Sequence, residues 1–514
     1  VLAEHHRHAY VLTRGVTASG MPLAPSADFL AVRDATARPA DPRLARAWDL
    51  LQPLNDTLVQ AGIGREDVLC AAVFTTESVS ADLAAARAAL YKEPAPAAAP
   101  AYVFAAAPMA GDDGSLDDLM GKPAAAQPGL DNPGGVTHAN LAFVVQGSFV
   151  APDFLAATQP VAGPTGATAS QLGHITDASG APMIQGHATI PFTLALPAGL
   201  ASLANVPLVI VGHGIGGDRT AVLAVADTFA QKGLATLGID FPFHGLRNPS
   251  ATDLVHNLGC TNAGCRMGPD GFAESTTTAF LLFTDIMGGK GVPPLDPDAI
   301  GSTWRQAALD LMATVRLAAD GSFAALATKD PRLAGLSFAG DSLGYTGSSL
   351  ASIIGTLMLS VEPRVKGAAL SVGGGGIVFP LVTWSPEYRG QLEPLLENSI
   401  GIPASTDPVE SDFGHNLFQF LLERGDPLAS APLVASRPVH LLLAEAFHDE
   451  TVPNAANEAL AQALLLGYAQ TTTGGTPQFA FTDPAPATVP KAPQSANRTV
   501  QEQPVTALFF QMQE

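Results

Sequence analysis

The sequence predicts an α/β fold in which a mostly parallel β-sheet carries helices on both faces. From about residue 206 onward, short apolar segments alternate with segments whose apolar residues recur at helical spacing. The short segments, such as "LVIV" at 208–211, are apolar at every position, which is typical of strands buried on both faces. Because the carboxyl ends of parallel strands meet at one edge, we expect the functional residues at that edge.

The composition fits a large globular protein. The 514 residues predict two or three domains, and 47% of them are hydrophobic, enough for a sizeable core. The net charge of −21 repels phosphate groups, which argues against nucleic acid as a partner. The longest apolar runs fall short of the roughly 18 residues of a membrane span, so no integral membrane segment is predicted.

The first domain is predicted over residues 1–136, as a small α+β unit followed by a connector rich in Pro, Ala and Gly. Its strands and helices are expected in the segments "AYVLTRGV", "DPRLARAWDLLQPLNDTLVQAGI", "DVLCAAVFTT" and "SADLAAARAALYKE". The Pro/Ala run that begins at Pro94 breaks the helical periodicity. The α/β domain is therefore predicted over residues 137–514.

The second domain opens with two edge strands, "ANLAFVVQGSFV" and "ATIPFTLALPAG". The strands of its parallel part are predicted in "VPLVIVGHG", "LATLGIDFP", "LAGLSFAGD", "VKGAALSVGGGG", "PVHLLLAEAFHD" and "VTALFFQMQE". The helices between them are predicted in "RTAVLAVADTFAQKG", "STWRQAALDLMATVRLAAD", "LGYTGSSLASIIGTLMLS" and "NAANEALAQALLLG". Insertions at about 248–298 and 379–426 each follow a strand, so we expect lids or pocket walls there.

A nucleophile is predicted at Ser342. The segment Gly340–Gly344 reads G-D-S-L-G and matches G-x-S-x-G, which places a serine on a sharp turn between a strand and a helix. The glycines give the turn room, and the strand "LAGLSFAGD" precedes it. At the start of a helix, the N–H of Leu343 would be one donor to a developing oxyanion.

The segment "VIVGHGIGGDR" predicts the other half of an oxyanion hole. A strand, a glycine-rich loop and a helix follow one another there, and the N–H of Ile215 is the expected second donor. His213 is interpreted as a residue that shapes this loop, because its strand precedes that of the nucleophile. Asp449 in "HDETVPN" follows an apolar strand and is the predicted acid that orients the base.

From about Thr137 onward, these segments give the chain a resemblance to the α/β-hydrolase superfamily. In detail it is similar to secreted bacterial lipases and esterases of the virulence-factor lipase type, through "VVQGSFVAPDFL", "VPLVIVGHGIGGDR", "GIDFPFHGLR", "GDSLGYTGS" and "HDETVPN". The resemblance implies ester hydrolysis through an acyl-enzyme, with no metal or organic cofactor and a substrate with an apolar acyl group. It also implies a secreted, periplasmic or cell-surface lipoprotein, and it does not distinguish lipid, small-ester and polyester substrates.

The histidine of the expected triad is not evident. The order Ser, acid, His places it after the strand "VTALFFQMQE", and no histidine follows His448. Because the triad depends on an imidazole, we expect the base beyond Glu514, in keeping with the processed appearance of the chain at Val1. His415 and His448 are the candidates within the chain, although either would require an unusual chain order.

Two alternative functions stay open. The letters G-D-S-L also mark another esterase class, in which Ser342 would act with Asp412 and His415, a D-x-x-H pair. The second alternative is a catalytically inactive binding protein on a hydrolase scaffold, because a fold does not fix a function.

The cysteines and histidines predict no metal site. Cys260 and Cys265 stand in "CTNAGC", a spacing that suits a small disulfide loop, and Cys70 is the third cysteine. The histidines of the amino-terminal "HHRH" are interpreted as a polar strand edge, since no carboxylate stands near them at ligand spacing.

Overall fold

The computed structural model describes residues 4–121, 136–157, 181–247, 297–390, 413–469 and 495–512, with short pieces at 161–162, 168–169, 173–175 and 488–489. The contacts divide the chain into two compact units, Val1–Val79 and Ser80–Glu514. Within the described ranges, no helix is both long enough and apolar enough to span a membrane.

The first unit is a two-stranded sheet with two helices. Strand β1 pairs antiparallel with strand β2, and a short hairpin of Thr17–Ala18 and Met21–Pro22 follows β1. Each helix begins at a polar cap: Ser26 accepts from the N–H of Phe29, and Asp41 accepts from that of Arg43. The bounds are β1 (Arg7–Thr13), α1 (Ala27–Arg33), α2 (Pro42–Gln60) and β2 (Val68–Thr75).

The division between the units lies at residue 79, not at the predicted residue 136. Helix α3 (Ala81–Leu90) packs within the large unit, and strand β3 (Ala99–Ala105) pairs antiparallel with the first long strand of the large sheet. The sequence pattern of this region is α+β, but its hydrogen bonds place it with the second unit. The Pro/Gly-rich connector predicted around 122–135 lies outside the described residues.

The strands and helices of the large unit alternate along the chain. The further strands are β4 (Leu141–Asp153), β5 (Gly186–Pro197), β6 (Leu208–Gly212), β7 (Ala235–Ile239), β8 (Leu343–Ser348), β9 (Val365–Ser371), β10 (His440–Ala446), β11 (Gly467–Ala469) and β12 (Ala507–Met512). The further helices are α4 (Leu116–Met120), α5 (Leu223–Ala230), α6 (Pro297–Asp320), α7 (Leu350–Val361), α8 (Phe413–Leu422), α9 (Pro427–Ala435) and α10 (Asn454–Ala463). A short helix, Leu326–Lys329, follows α6.

One large sheet organises this unit, and twelve strands of it are described. Its order is Thr488–Val489, β11, β12, β10, β9, β8, β6, β7, β5, β4, β3 and Gly114–Ser115. Strand β5 runs antiparallel to both of its neighbours, and β3 is antiparallel to β4, while the remaining pairs are parallel. The outermost strand that is described at each margin is only two residues long.

The order of the central strands identifies the architecture. If β4, β5, β6, β7, β8, β9, β10 and β12 are numbered one to eight, they lie side by side as 1-2-4-3-5-6-7-8. The second is antiparallel and the others run in one direction. This is the α/β-hydrolase fold predicted from the sequence.

Helices cover both faces of the sheet. Helices α4 and α5 pack on one face against a cluster that includes Val144, Ala195 and Val211. Helices α6, α7, α9 and α10 belong to the larger cluster that covers the other face. The sheet is thereby buried between two apolar layers, and its carboxyl edge presents the loops that build the site.

Candidate functional site

A sharp turn joins strand β8 to helix α7 at Ser349. This residue has φ 55° and ψ −122°, between a strand that ends at Ser348 and a helix that begins at Leu350. A positive φ is costly for a residue with a side chain, and such strain is typical of turns that present a nucleophile. Residues Gly347–Ala351 read G-S-S-L-A, a G-x-S-x-G pattern with alanine in the last position.

Hydrogen bonds to strand β9 hold this turn. The N–H of Ser349 donates to the carbonyl of Ser371 at 2.8 Å. The Ser352 hydroxyl lies 2.7 Å from the carbonyl oxygen of Gly347 and accepts from the N–H of Ser371 at 2.9 Å. The ends of β8 and β9 and the first turn of α7 are therefore tied together behind Ser349.

Tyr345 supports the turn from below. Its hydroxyl donates to the carbonyl of Ala351 at 2.5 Å, and its ring is buried. Glycines make space for it: a Cβ atom at Gly212, Gly347 or Gly355 would lie 2.6, 2.7 or 2.2 Å from a Tyr345 atom. The glycines of β6, β8 and α7 thus allow a tyrosine to reach under the start of the helix.

The loop after β6 approaches Ser349. A Cβ built on Gly214 would lie 3.5 Å from the Cβ of Ser349 and 3.7 Å from the carbonyl oxygen of Ser348. The N–H of Gly217 donates to the carbonyl of Gly214 at 3.1 Å, and Gly216 has φ 75°, so the chain turns tightly here. This turn contains Ile215, which places the predicted donor loop beside Ser349.

His213 shapes this loop as a neutral imidazole. Its Nδ1 lies 2.8 Å from the carbonyl oxygen of Gly214, and its Nε2 accepts from the N–H of Phe241 at 3.2 Å. Burial, followed by the nearby His244, holds the pKa of His213 well below its usual value. Both ring nitrogens are therefore used in building the loop.

Asp240 anchors the other side of the loop. Its buried carboxylate accepts from the Arg219 N–H at 2.8 Å, from the Arg219 guanidinium at 2.8 Å and from the Leu246 N–H at 2.8 Å. The segments after β6 and β7 are thus joined through one ion pair with satisfied hydrogen bonds.

The structure corrects the predicted position of the nucleophile turn. Ser342 precedes β8, at the amino edge of the sheet, and its exposed hydroxyl lies 3.5 Å from the carbonyl oxygen of Ala339. The preceding segment "LAGLSFAGD" forms no strand, and its strand-like pairing is limited to an isolated bridge between Phe338 and Val206. Ser342 is therefore not on a strand-to-helix turn.

The same shift places Leu343 away from the predicted oxyanion hole. The N–H of Leu343 donates to the carbonyl of Arg364 at 3.3 Å, where β8 begins to pair with β9. This N–H is therefore used in strand pairing at the amino edge of the sheet. The residue that follows the turn is Leu350, the first residue of α7, whose N–H has no partner within the helix.

Asp449 lies on the same edge as Ser349. Strands β8, β9 and β10 are in register at their carboxyl ends, through the pairs Ser348–Ser371 and Ser371–Ala444. Asp449 follows β10, and its Oδ1 accepts from the N–H groups of Thr451 at 2.9 Å and Val452 at 2.8 Å. The structure thus brings Asp449 and Ser349 to one edge and leaves Ser342 at the other.

Part of the predicted insertion at 379–426 borders Asp449. Ser385 donates to the carbonyl of Glu450 at 2.9 Å, and Thr451 donates to the Glu387 carboxylate at 2.8 Å. Burial raises the pKa of Tyr388 to about 12, with added contributions from the charges of Glu387 and Asp449. This segment therefore lies beside the turn that carries Asp449.

The candidate histidines occupy different positions. His448 is exposed, has φ 57° and stacks on Phe447, with ring centroids 3.8 Å apart. His415 is buried in α8 beside Phe379, with ring centroids 5.5 Å apart. Because Phe379 follows the carboxyl end of β9, the structure does not place His415 with Ser342 in the arrangement expected of a G-D-S-L esterase.

Several predicted features fall outside the described residues. These are Asp412, the pair Cys260 and Cys265, and most of the insertion at 248–298. Across the ranges that are described, no group of three or more His, Cys, Asp and Glu side chains is arranged to hold a metal ion.

The sequence pattern does not indicate Ser349, because β8 does not resemble a strand. Its sequence, "LGYTGS", contains two glycines, which weaken strand propensity, and the pattern predicts it as part of the helix that follows. The overlapping pentapeptide Gly347–Ala351, followed by an apolar helix, was the signal that could have located the turn.

Comparisons with known proteins find solved structures that match parts of the chain at low sequence identity and low TM-score. No protein-family model matches the chain, and no curated protein sequence matches it. An acetyl xylan esterase from a Paenibacillus species is 14% identical, with a TM-score of 0.39 over 74% of this chain and 83% of that one. Acetyl xylan esterase 1 from a Thermoanaerobacterium species is 12% identical, with a TM-score of 0.36 over 64% and 75%.

A cold-adapted esterase from an Arctic intertidal metagenomic library is 13% identical, with a TM-score of 0.29 over 66% of this chain and 85% of that one. The narrower likeness to virulence-factor lipases stays a prediction. The strand order 1-2-4-3-5-6-7-8, with its antiparallel second strand and the strained turn after the fifth, shows that the chain has the fold of the α/β-hydrolase superfamily.

Proposed function

We propose that the protein is a serine carboxylic-ester hydrolase whose nucleophile is Ser349. The observation that carries the proposal is the left-handed conformation of Ser349 between β8 and α7, at the edge where the loop after β6 and the turn of Asp449 also lie. A strained serine at such a turn presents its hydroxyl above the sheet.

The N–H groups of Leu350 and Ile215 are the proposed donors to the oxyanion. Leu350 begins α7, so its N–H and the positive end of the helix dipole point toward the turn. Ile215 lies in the loop whose Gly214 faces Ser349, since a Cβ on Gly214 would lie 3.5 Å from the Cβ of Ser349. Removing one such donor costs about 3 kcal/mol of transition-state stabilisation in related enzymes.

The reaction follows from these groups. The Ser349 Oγ attacks the ester carbonyl carbon while an imidazole takes its proton, and the carbonyl oxygen becomes an oxyanion. Collapse of this intermediate breaks the bond to the alcohol, which leaves with the proton. Water then attacks the acyl-enzyme by the same steps, which releases the carboxylic acid and restores the Ser349 hydroxyl.

Asp449 is the proposed acid, and the base is proposed to come from the chain after β12. The carboxyl end of β12 is in register with that of β10, through Ala446 and Met512, so a loop leaving β12 starts beside the Asp449 turn. An imidazole there would follow the order Ser, acid, His. An exported location and an apolar acyl group remain part of the proposal, on the resemblance alone.

A fluorophosphonate probe tests the nucleophile directly. The probe should label the full-length protein, and peptide mapping should place the label on Ser349. Ser342→Ala, the matched control seven positions earlier, should label as the wild type does, whereas Ser349→Ala should not label. A label on Ser342, or none on the wild type, would refute the proposal.

A panel of p-nitrophenyl esters with acyl chains of rising length tests the substrate class. We expect hydrolysis that depends on Ser349 and prefers an apolar acyl group. An absence of turnover with every ester, together with an absence of labelling, would favour the inactive binding protein.

A further inference from the structure

Glu445 is a fully buried carboxyl group directly behind the Asp449 turn. It is the penultimate residue of β10, and its side chain has no exposed surface. Its Oε1 accepts from the Gln511 amide at 3.0 Å, and its Oε2 accepts from the Asn454 amide at 2.8 Å. Buried carboxyl groups are costly, so one at this position requires an explanation.

Asn454 connects Glu445 to the turn. Its Nδ2 also donates to the carbonyl of Ala446 at 2.7 Å, and its Oδ1 accepts from the N–H of His448 at 3.0 Å. The Asn454 side chain is thus hydrogen-bonded to the backbone on both sides of Phe447, immediately before Asp449. His448 is held at φ 57°, an unfavourable conformation for histidine that the two contacts help to maintain.

The groups that face Glu445 are acidic. Among the described residues these are Glu458 from α10, Asp449 from the turn and Tyr468 from β11, while Gln511 and Asn454 are neutral donors. Burial, followed by the charges of Glu458 and Asp449, raises the pKa of Glu445 to about 8, against the opposing effect of the two amide hydrogen bonds. The carboxyl is therefore protonated at neutral pH.

We propose that Glu445 is a positioning residue, which through Asn454 holds the turn that carries Asp449 and releases it when the carboxyl ionises. The inference rests on the proposed function, in which Asp449 orients the base. Ionisation places a second negative charge behind Asp449, where the charges that act on Glu445, those of Glu458 and Asp449, are also negative. Opening of the turn would return that charge to water, and Asp449 would lose its position.

The pH dependence of ester hydrolysis tests the proposal. In the wild type, kcat should fall about tenfold per pH unit above about pH 8, with KM little changed, because Glu445 does not touch the substrate. Glu445→Gln keeps an oxygen for Asn454 and cannot ionise, so it should retain most of the activity at pH 7 and lose the alkaline fall. Glu445→Ala leaves Asn454 unsupported and should lower kcat at every pH.

Glu387→Gln is the matched control. Glu387 is exposed and contacts Thr451 on the other side of the turn, so this change removes a charge near Asp449 without touching Asn454. The pH dependence of kcat for Glu387→Gln should follow that of the wild type. The rates measured with Ser349→Ala are subtracted from all rates as the background. An alkaline fall that persists in Glu445→Gln would overturn the proposal.

Hydrogen exchange at the His448 amide tests the same proposal without any activity. Its protection, corrected for the intrinsic pH dependence, should decrease above about pH 8 in the wild type and stay constant in Glu445→Gln. If no ester is hydrolysed but this difference is present, the proposed function fails and the inference about the turn stands. Equal protection in both proteins would refute the inference itself.

Discussion

Gly214 faces Ser349 at the carboxyl edge of the sheet, with space for one Cβ atom between them. A Cβ on Gly214 would be 3.5 Å from that of Ser349 and 3.7 Å from the carbonyl oxygen of Ser348, which are ordinary van der Waals distances. The glycine therefore leaves a gap between its loop and the turn at Ser349. Such a gap suits a tetrahedral carbon and its oxyanion.

Gly214→Ala should reduce activity without unfolding the protein. A methyl group at 3.5 Å fits sterically but occupies space beside the nucleophile. We expect kcat/KM for a short ester to fall about tenfold or more, with an unchanged melting temperature. Gly186→Ala is the control, because a Cβ there would meet nothing within 4 Å. Equal activity of the two variants would argue against a substrate position beside Gly214.

Asp449→Asn should lower kcat by about 10⁴ while preserving the fold, as expected when a triad acid is replaced by its amide. The amide oxygen can still accept from the N–H groups of Thr451 and Val452, so the turn should persist. Steady-state kinetics with p-nitrophenyl acetate, together with circular dichroism, would measure both effects. A loss of less than about tenfold would mean that Asp449 does not orient the base.

His415→Asn and His448→Asn should each keep more than a tenth of the wild-type kcat. His415 is buried beside Phe379, and His448 is exposed and stacked on Phe447, so neither is expected to take the proton of Ser349. Initial rates for both variants test this directly. If either change lowered kcat by about 10³ or more, that histidine would be the base and the loop after β12 would not supply it.

Tyr345→Phe should destabilise the protein by about 1 kcal/mol, the usual net value of a hydrogen bond. It removes the 2.5 Å contact to Ala351 without changing the packing of the ring. Gly355→Ala should cost about 3 kcal/mol, because the new methyl would lie 2.2 Å from the Tyr345 ring. Urea denaturation measures both, and the reverse ranking would contradict the packing described beneath the turn.

Glu445→Gln should flatten the dependence of stability on pH. The pKa of Glu445 is about 8 in the folded protein and 4.5 ordinarily, so between these values the folded state binds more protons than the unfolded state. The free energy of unfolding of the wild type should therefore fall as pH rises through this window, by at most about 1.4 kcal/mol per unit from this group. Denaturation at pH 5, 6, 7 and 8 should show a smaller slope for the variant, and an unchanged slope would contradict the raised pKa.

Sequence patterns located most strands of the large sheet because their physical signal is strong. Segments such as "LVIV" in β6 and "LLLA" in β10 are continuously apolar, as burial on both faces requires. The position of Asp449 at the carboxyl edge could be predicted because it follows such a strand after two residues. These strand predictions rest on local composition alone, and the folded structure keeps each of these segments as a strand.

The turn at Ser349, the proposed nucleophile, could not be predicted in this way, since β8 is shaped by tertiary packing. Gly344 and Gly347 weaken its strand signal, and Gly347 makes room for the ring of Tyr345. The segment Gly340–Gly344 around Ser342 matches the G-x-S-x-G motif. Only the pairing of Leu343 with Val365 shows that Ser342 lies at the amino edge of the sheet. Likewise, the pairing of β3 with β4, which moves the unit boundary to residue 79, is a long-range contact that local periodicity does not contain.

The two margins of the described sheet have a consequence for how copies of the chain meet. Gly114–Ser115 closes one margin and Thr488–Val489 the other, so each outermost strand offers only two residues of backbone for pairing. Long, flat outer strands recruit neighbouring chains and promote aggregation, and abbreviated ones discourage this. The short outermost strands of the described sheet therefore disfavour edge-to-edge pairing between copies of the chain.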